Sequence, residues 1–135
     1  MYKKLAALIF VLPMLFAGCG SPSSPTLTGT VTYRQKIALP TDAVVNVSLQ
    51  DISRADAPAI VLGQQTIETK GAQVPISFAI PYDSSKIDST HSYSVRATIK
   101  DATGKMLFTS NTTTPVISRG NPTKNIEIIL VQIGA

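Results

Sequence analysis

The chain has 135 residues, 44% of them hydrophobic and only 15% charged, with 12 Lys and Arg against 8 Asp and Glu for a formal net charge of +4. That length supports one core and not two. The sequence has no extended run of Lys or Arg, so the clustered basic footprint of a nucleic-acid binder is absent. One Cys and one His supply neither a disulfide pair nor a closely spaced zinc ligand set.

Met1-Tyr2-Lys3-Lys4 is a short cationic end, and Leu5 to Gly18 follows without one charged side chain. This is the layout of a signal peptide. As a helix, the 14 residues Leu5 to Gly18 would cover only about 21 Å of a hydrocarbon core ~30 Å thick. Pro13 interrupts the run, and Ala17-Gly18 narrow it before Cys19, as a peptidase pocket requires. Residues 1–18 are therefore expected to be an exported, cleaved leader. The two lysines leave with it, and the 117 residues that remain carry ten Lys and Arg against eight Asp and Glu, a charge of +2.

Cys19 admits several readings. A thiol nucleophile needs a base nearby, and no such group lies close in sequence; a stray cysteine in a discarded leader is the plain alternative. Phe16-Ala17-Gly18-Cys19 resembles a bacterial lipobox, with Phe16 in place of the usual Leu. The resemblance implies that Cys19 receives a diacylglyceryl group and further acyl chains of the palmitate kind. It also implies, from Gly20 rather than Asp after the cysteine, sorting to the outer membrane. One myristoyl chain gives only marginal binding, whereas two or three make attachment effectively permanent. Gly20-Ser21-Pro22-Ser23-Ser24-Pro25 is a polar tether, so residues 19–27 are read as lipidated Cys and linker, and 28–135 as one domain.

The domain reads as strands. In Thr28 to Leu39, Val31, Tyr33, Ile37 and Leu39 alternate with polar or small residues. Pro40-Thr41-Asp42 is turn chemistry, after which Val45, Val47 and Leu49 share one face against Asn46, Ser48 and Gln50. Ser53 to Pro58 breaks the pattern. Ile60, Leu62 and Ile67 then mark a third extended stretch ending at Lys70-Gly71. Val74, Ile76, Phe78 and Ile80 share one parity in a strand whose Pro75 and Pro81 predict a sheet edge or an irregularity.

Asp83 to Ser92 reads as a polar loop with room for one helical turn, pinned by Ile87. A strand follows with Tyr93, Val95, Ala97 and Ile99 inward and Ser94, Arg96, Thr98 and Lys100 outward. Asp101-Ala102-Thr103-Gly104 predicts a hairpin into Lys105 to Ser110. Ser118 to Pro122 is dense turn chemistry. Asn125 to Ile133 is apolar on both faces, which places it centrally or under a covering loop. About seven strands at roughly ten-residue spacing predict an all-β fold, a single antiparallel β-sandwich, with a small barrel as the alternative.

No catalytic, cofactor or metal site is expected. His91 lies near Asp83 and Asp88, but no nucleophile-elbow glycines surround any serine, so a solvated loop histidine is the simpler reading. Lys86 intrudes between the two aspartates, which match no calcium loop. Asn46-Val47-Ser48 and Asn111-Thr112-Thr113 fit a glycosylation pattern that a bacterial lipoprotein does not ordinarily meet.

The segments Leu39 to Pro58 (LPTDAVVNVSLQDISRADAP), Ile80 to Asp83 (IPYD) and Arg119 to Pro122 (RGNP) resemble the YbaY-type lipoproteins grouped with the YscW pilotins of type III secretion. The similarity extends from Thr28 to Ile133. It implies a periplasm-facing, non-enzymatic β-sandwich lipoprotein that binds an envelope client, such as the C-terminal segment of a secretin subunit, and chaperones it to the outer membrane. The alternative is a structural envelope lipoprotein tied to stress tolerance, with no dedicated client. Neither reading involves nucleic acid or a small-molecule substrate. A client-binding module should expose an apolar groove or an unpaired edge, expected beside the proline-bearing strand.

Overall fold

The computed structural model describes residues 24–134. Residues 1–18, expected to be a leader, and Cys19 lie outside the described residues. Eight strands follow in chain order: β1 (Thr26–Tyr33), β2 (Val44–Asp51), β3 (Ile60–Glu68), β4 (Ile76–Pro81), β5 (Tyr93–Lys100), β6 (Met106–Thr109), β7 (Thr114–Val116) and β8 (Ile126–Gln132), with one 3-10 turn at Ser84–Lys86. Among the described residues no helix is long and apolar enough to cross a membrane.

The strands form a continuous path β3-β2-β5-β6-β8-β1-β4, and β7 pairs with β5 beyond the end of β6. The sheet curls until its two end strands face each other, giving a nearly closed barrel around one core. The alternating residues of β2, β4 and β5 fill that core: Val45, Val47, Leu49, Ile80, Val95 and Ile99 are all fully buried. Both β-branched and γ-branched side chains suit the pleat here, because each inward position meets another sheet face across the interior.

The all-β expectation holds, and the structure settles the sandwich-or-barrel alternative towards a barrel-like roll. One ladder is parallel: Gly29 to Tyr33 of β1 run beside Ile126 to Leu130 of β8. The two backbones approach so closely there that a Cβ on Gly29 would stand 2.0 Å from the carbonyl oxygen of Ile126. Only glycine fits. The eighth strand is β7, a three-residue piece containing Pro115, too short to show an alternation.

Four details of side-chain placement differ from the sequence reading. The chain leaves the sheet after Tyr33, so Ile37 is exposed, while Leu39 returns to the core. A bulge shifts the β2–β3 register from Leu49↔Gly63 to Gln50↔Val61, leaving Leu62 as the extra residue and Ile60 and Val61 both exposed. Ser94 keeps its outward parity but is buried, within a depression walled by Gln50, Arg96 and Asn111. β8 is central, but its second face is only half covered and Ile133 is exposed.

Candidate functional site

The registers sort the loops to two ends. Asp51 pairs with Ile60 and with Tyr93, Tyr93 with Val116, and Thr26 with Pro81. One end therefore gathers the start of β1 with the loops 52–59, 83–92 and 117–125. Most of the distinctive sequence lies here: Ile52 to Pro58, Pro81 to Asp83 and Arg119 to Pro122. Leu39 to Asp42 lies at the opposite end.

A repeated local device shapes two of these loops and the hairpin at the opposite end. Asp51, Asp83, Asp88 and Asp101 are each followed two residues later by Ser or Thr, and each Oδ1 accepts both the backbone N–H and the hydroxyl of that residue. The N–H contacts span 2.8–2.9 Å and the hydroxyl contacts 2.5–2.7 Å. Asp and Ser/Thr thus turn the chain by bonding its own backbone. Ser85, Thr90 and Thr103 hold the carboxyls of Asp83, Asp88 and Asp101 below the ordinary range. For Asp51, burial pushes the value upward, but the two Ser53 bonds and His91 outweigh it and leave it lowered.

His91 joins the loops to one another. Its Nδ1 lies 2.8 Å from Asp51 Oδ2, and its Nε2 lies 3.7 Å from Asp88 Oδ2. Its carbonyl accepts the Ser118 hydroxyl at 2.6 Å, and the neighbouring Thr90 carbonyl accepts from Arg119 at 2.8 Å. Ser92 N–H donates to Ser53 Oγ at 2.9 Å, and Asp88 N–H to the buried Tyr93 hydroxyl at 2.8 Å. Ile117, with φ +71°, sits at the centre of a γ-turn closed by Ser118 N–H on the Val116 carbonyl at 2.8 Å. A β-branched residue in that region stores strain that the surrounding bonds must hold. Beside it, a depression of about 350 Å³ is floored by Tyr82, Ile87 and Ile117.

The contacts of this cluster tie the loops of one end to one another. Ser53 Oγ donates to Asp51 and not to His91, so no relay runs from a hydroxyl through the imidazole to a carboxylate. Among the described residues no three of His, Cys, Asp and Glu converge as a metal ion needs. His91, Asp83 and Asp88, singled out in the sequence, do share one end, and Asp51 is the partner that sequence spacing missed, forty residues away from His91. The Asp-x-Ser/Thr recurrence was a local signal available for it.

A second feature is the seam between β3 and β4. No ladder joins these end strands. Gly63 makes the approach possible, since a Cβ there would fall 2.8 Å from Ile80 Cγ2, and the side chain of Gln65 accepts the Ala79 N–H at 2.7 Å. In an antiparallel edge strand alternate residues turn their backbone groups outward. Ser77 and Pro81 therefore face the seam with Ala79, and Pro81 has no N–H to offer. The edge strand expected from the two prolines is present, and its exposed outer residues Ser77 and Ala79 flank the gap.

Comparison with known proteins places these features in context. A family model described as the type III secretion system lipoprotein chaperone (YscW) matches residues 22–128. The chain is similar to an uncharacterized lipoprotein, YbaY, of Escherichia coli (strain K12), 38% identical over 108 residues that cover 80% of this chain and 56% of that protein. The chain thus spans about half the length of that curated relative. Among solved structures it is similar to an alternative pilotin from the type II secretion system of Vibrio cholerae, with a TM-score of 0.73, 45% identity, and coverage of 79% of this chain and 96% of that one.

Proposed function

The chain belongs to the YscW family of type III secretion system lipoprotein chaperones, and on that premise we propose that it is a pilotin-type chaperone of the outer membrane, held by lipid on Cys19 and facing the periplasm. In this reading residues 1–18 are the removed leader and Cys19 to Pro25 the lipidated tether, and the client-binding domain begins with β1 at Thr26, two residues before the 28 read from the sequence, because Leu27 is buried in the core. The client is an envelope protein, with the C-terminal segment of a secretin as the first candidate. The domain acts by binding and escort, not by catalysis.

The observation that carries the reading is the unladdered seam. A curled sheet whose end strands approach at Gly63 and Ile80 but are joined by no ladder, only by the Gln65–Ala79 hydrogen bond, leaves backbone donors and acceptors along the rest of the edge that an extended client peptide can pair with, while Pro75 and Pro81 bound a short edge strand and so limit self-association. Likeness at 45% identity to a type II pilotin supports the same class of client.

The test is a photo-crosslinking residue at Ser77, with Thr103 on the far hairpin as control, in cells carrying the native secretin. Ser77 should capture a secretin subunit and Thr103 should not. Capture of only abundant lipoproteins from both positions would instead support the structural-lipoprotein reading. As a companion, Cys19→Ala should give a folded barrel that no longer sediments with membranes.

A further inference from the structure

From Ala57 to Val61 the chain reads Ala-Pro-Ala-Ile-Val, and all five residues are exposed. Ile60 is 61% and Val61 52% exposed, the highest values among the large hydrophobic side chains of the described residues. Single exposed apolar residues are ordinary, but a contiguous stretch calls for a partner. The bulge at Leu49 and Gln50 produces it, because the extra residue ends the alternation that would otherwise turn one of the pair into the core.

Its position decides which partner. The stretch lies at the end of the barrel from which the N-terminal segment departs: Pro25 accepts the Tyr82 N–H at 3.0 Å at that end, and Ile60 lies opposite Asp51 there. From Cys19 to Ser24 the chain spans at most about 18 Å even fully extended. A lipid on Cys19 therefore holds this end within reach of the bilayer surface. The other two exposed large hydrophobics, Ile37 and Ile133, lie at the opposite end, where β1 and β8 finish.

We propose that Ala57–Val61 is a membrane-contacting tongue that seats Ile60 and Val61 in the headgroup region of the leaflet carrying the Cys19 lipid, orienting the barrel end-on. The proposal rests on Cys19 being the lipid attachment point. Loop charges around the tongue balance, with Arg54, Lys86, Arg119 and Lys124 against Asp51, Asp56, Asp83 and Asp88. The contact is thus apolar and does not need anionic lipid, unlike a polybasic surface. Oriented this way, the barrel directs its strands along the membrane normal and leaves the β3–β4 seam on its flank, open to a client in the periplasm.

The chain has no tryptophan, which makes the test direct. Full-length lipidated protein with Ile60→Trp, or with Ile37→Trp as the far-end control, is reconstituted into phosphatidylcholine and phosphatidylethanolamine vesicles with brominated acyl chains. Emission from Ile60→Trp should be quenched at least twofold and shifted to shorter wavelength, unchanged by added anionic lipid or by salt, while Ile37→Trp stays unquenched. Ile60 is exposed at a strand start, so the variant should fold, and circular dichroism checks it. Co-flotation of both proteins with vesicles reports the lipid anchor separately. Flotation without quenching at position 60, or equal quenching at both, overturns the tongue and leaves the anchor standing; loss of flotation overturns both. Quenching absent on vesicles, with a blue shift appearing only on addition of a secretin C-terminal peptide, would assign the stretch to a protein client instead.

Discussion

The two ends of the barrel are closed by different chemistry. At the tether end, the charged side chains of Asp51 and Arg119 tie one loop to another, Asp51 through His91 and Arg119 through the Thr90 carbonyl, with Ser118 and Ser53 filling between them. At the far end, neutral groups and packing do the same work. Tyr33 stacks on Phe108 with ring centroids 4.0 Å apart and planes 8° from parallel, and its hydroxyl donates to the Ile37 carbonyl at 2.6 Å. Gln73 clasps Leu39 through both backbone groups, and Thr69 bonds the Ala43 carbonyl. The far end is a packed plug, whereas the tether end is a polar network that solvent conditions can loosen.

The largest test of that contrast is to remove the plug. Phe108 is buried and its ring covers Tyr33, so Phe108→Ala leaves a cavity and strips one face of the stack. Truncations of this kind cost about 3–5 kcal/mol. The expected result is a large drop in the urea midpoint with an unchanged slope, and loss of amide protection beginning at β6 and β8. Early loss confined to the 83–92 loop would show that the plug does not organise the far end.

A smaller step removes only the clasp. Gln73 reaches across thirty-four residues to bond Leu39 N–H at 2.7 Å and the Leu39 carbonyl at 3.2 Å. Gln73→Ala returns those groups to solvent and should cost about 1 kcal/mol. Because the linkage is neutral, the cost should be the same at pH 4 and pH 7, and urea titrations at the two values would show it. A pH-dependent cost would break the distinction between the ends.

Much of this architecture was legible in the chain. Alternation identified β2, β4 and β5 and their inward residues, because both faces of those strands keep a fixed parity along their length. It failed where parity breaks locally. The bulge at Leu49 and Gln50 exposes Ile60 and Val61, and the exit of the chain after Tyr33 exposes Ile37. Asp101-Ala102-Thr103-Gly104 gave its hairpin through local bonds and a glycine at φ +86°. The His91–Asp51 contact could not be read, since a register fixes it and no spacing does. The parallel β1–β8 ladder was equally silent: the glycine that permits it looks like any glycine in a strand of threonines.

Acid gives the finest discrimination between the ends. Asp51, Asp83 and Asp88 at the tether end, and Asp101 at the far hairpin, all have carboxyls held below the ordinary value, chiefly by the Ser or Thr two residues on, with burial opposing them and most strongly at Asp51. A carboxyl depressed in the folded state stabilises fully above its unfolded value of about 3.9, and that contribution is lost as the pH falls through the lower folded value. Stability should therefore be flat on the acidic side of neutrality until about pH 4 and decline below it. Three of the four groups lie at the tether end, so hydrogen exchange in residues 83–92 and 117–122 should accelerate before exchange in β6. Asp51→Asn keeps the shape of the side chain but removes the charge facing His91. It should lower stability modestly at pH 7 and make the acid limb shallower, because one titrating group has gone. An acid limb of unchanged steepness would mean that Asp51 does not hold the tether end, and that the loops there stand on their backbone turns alone.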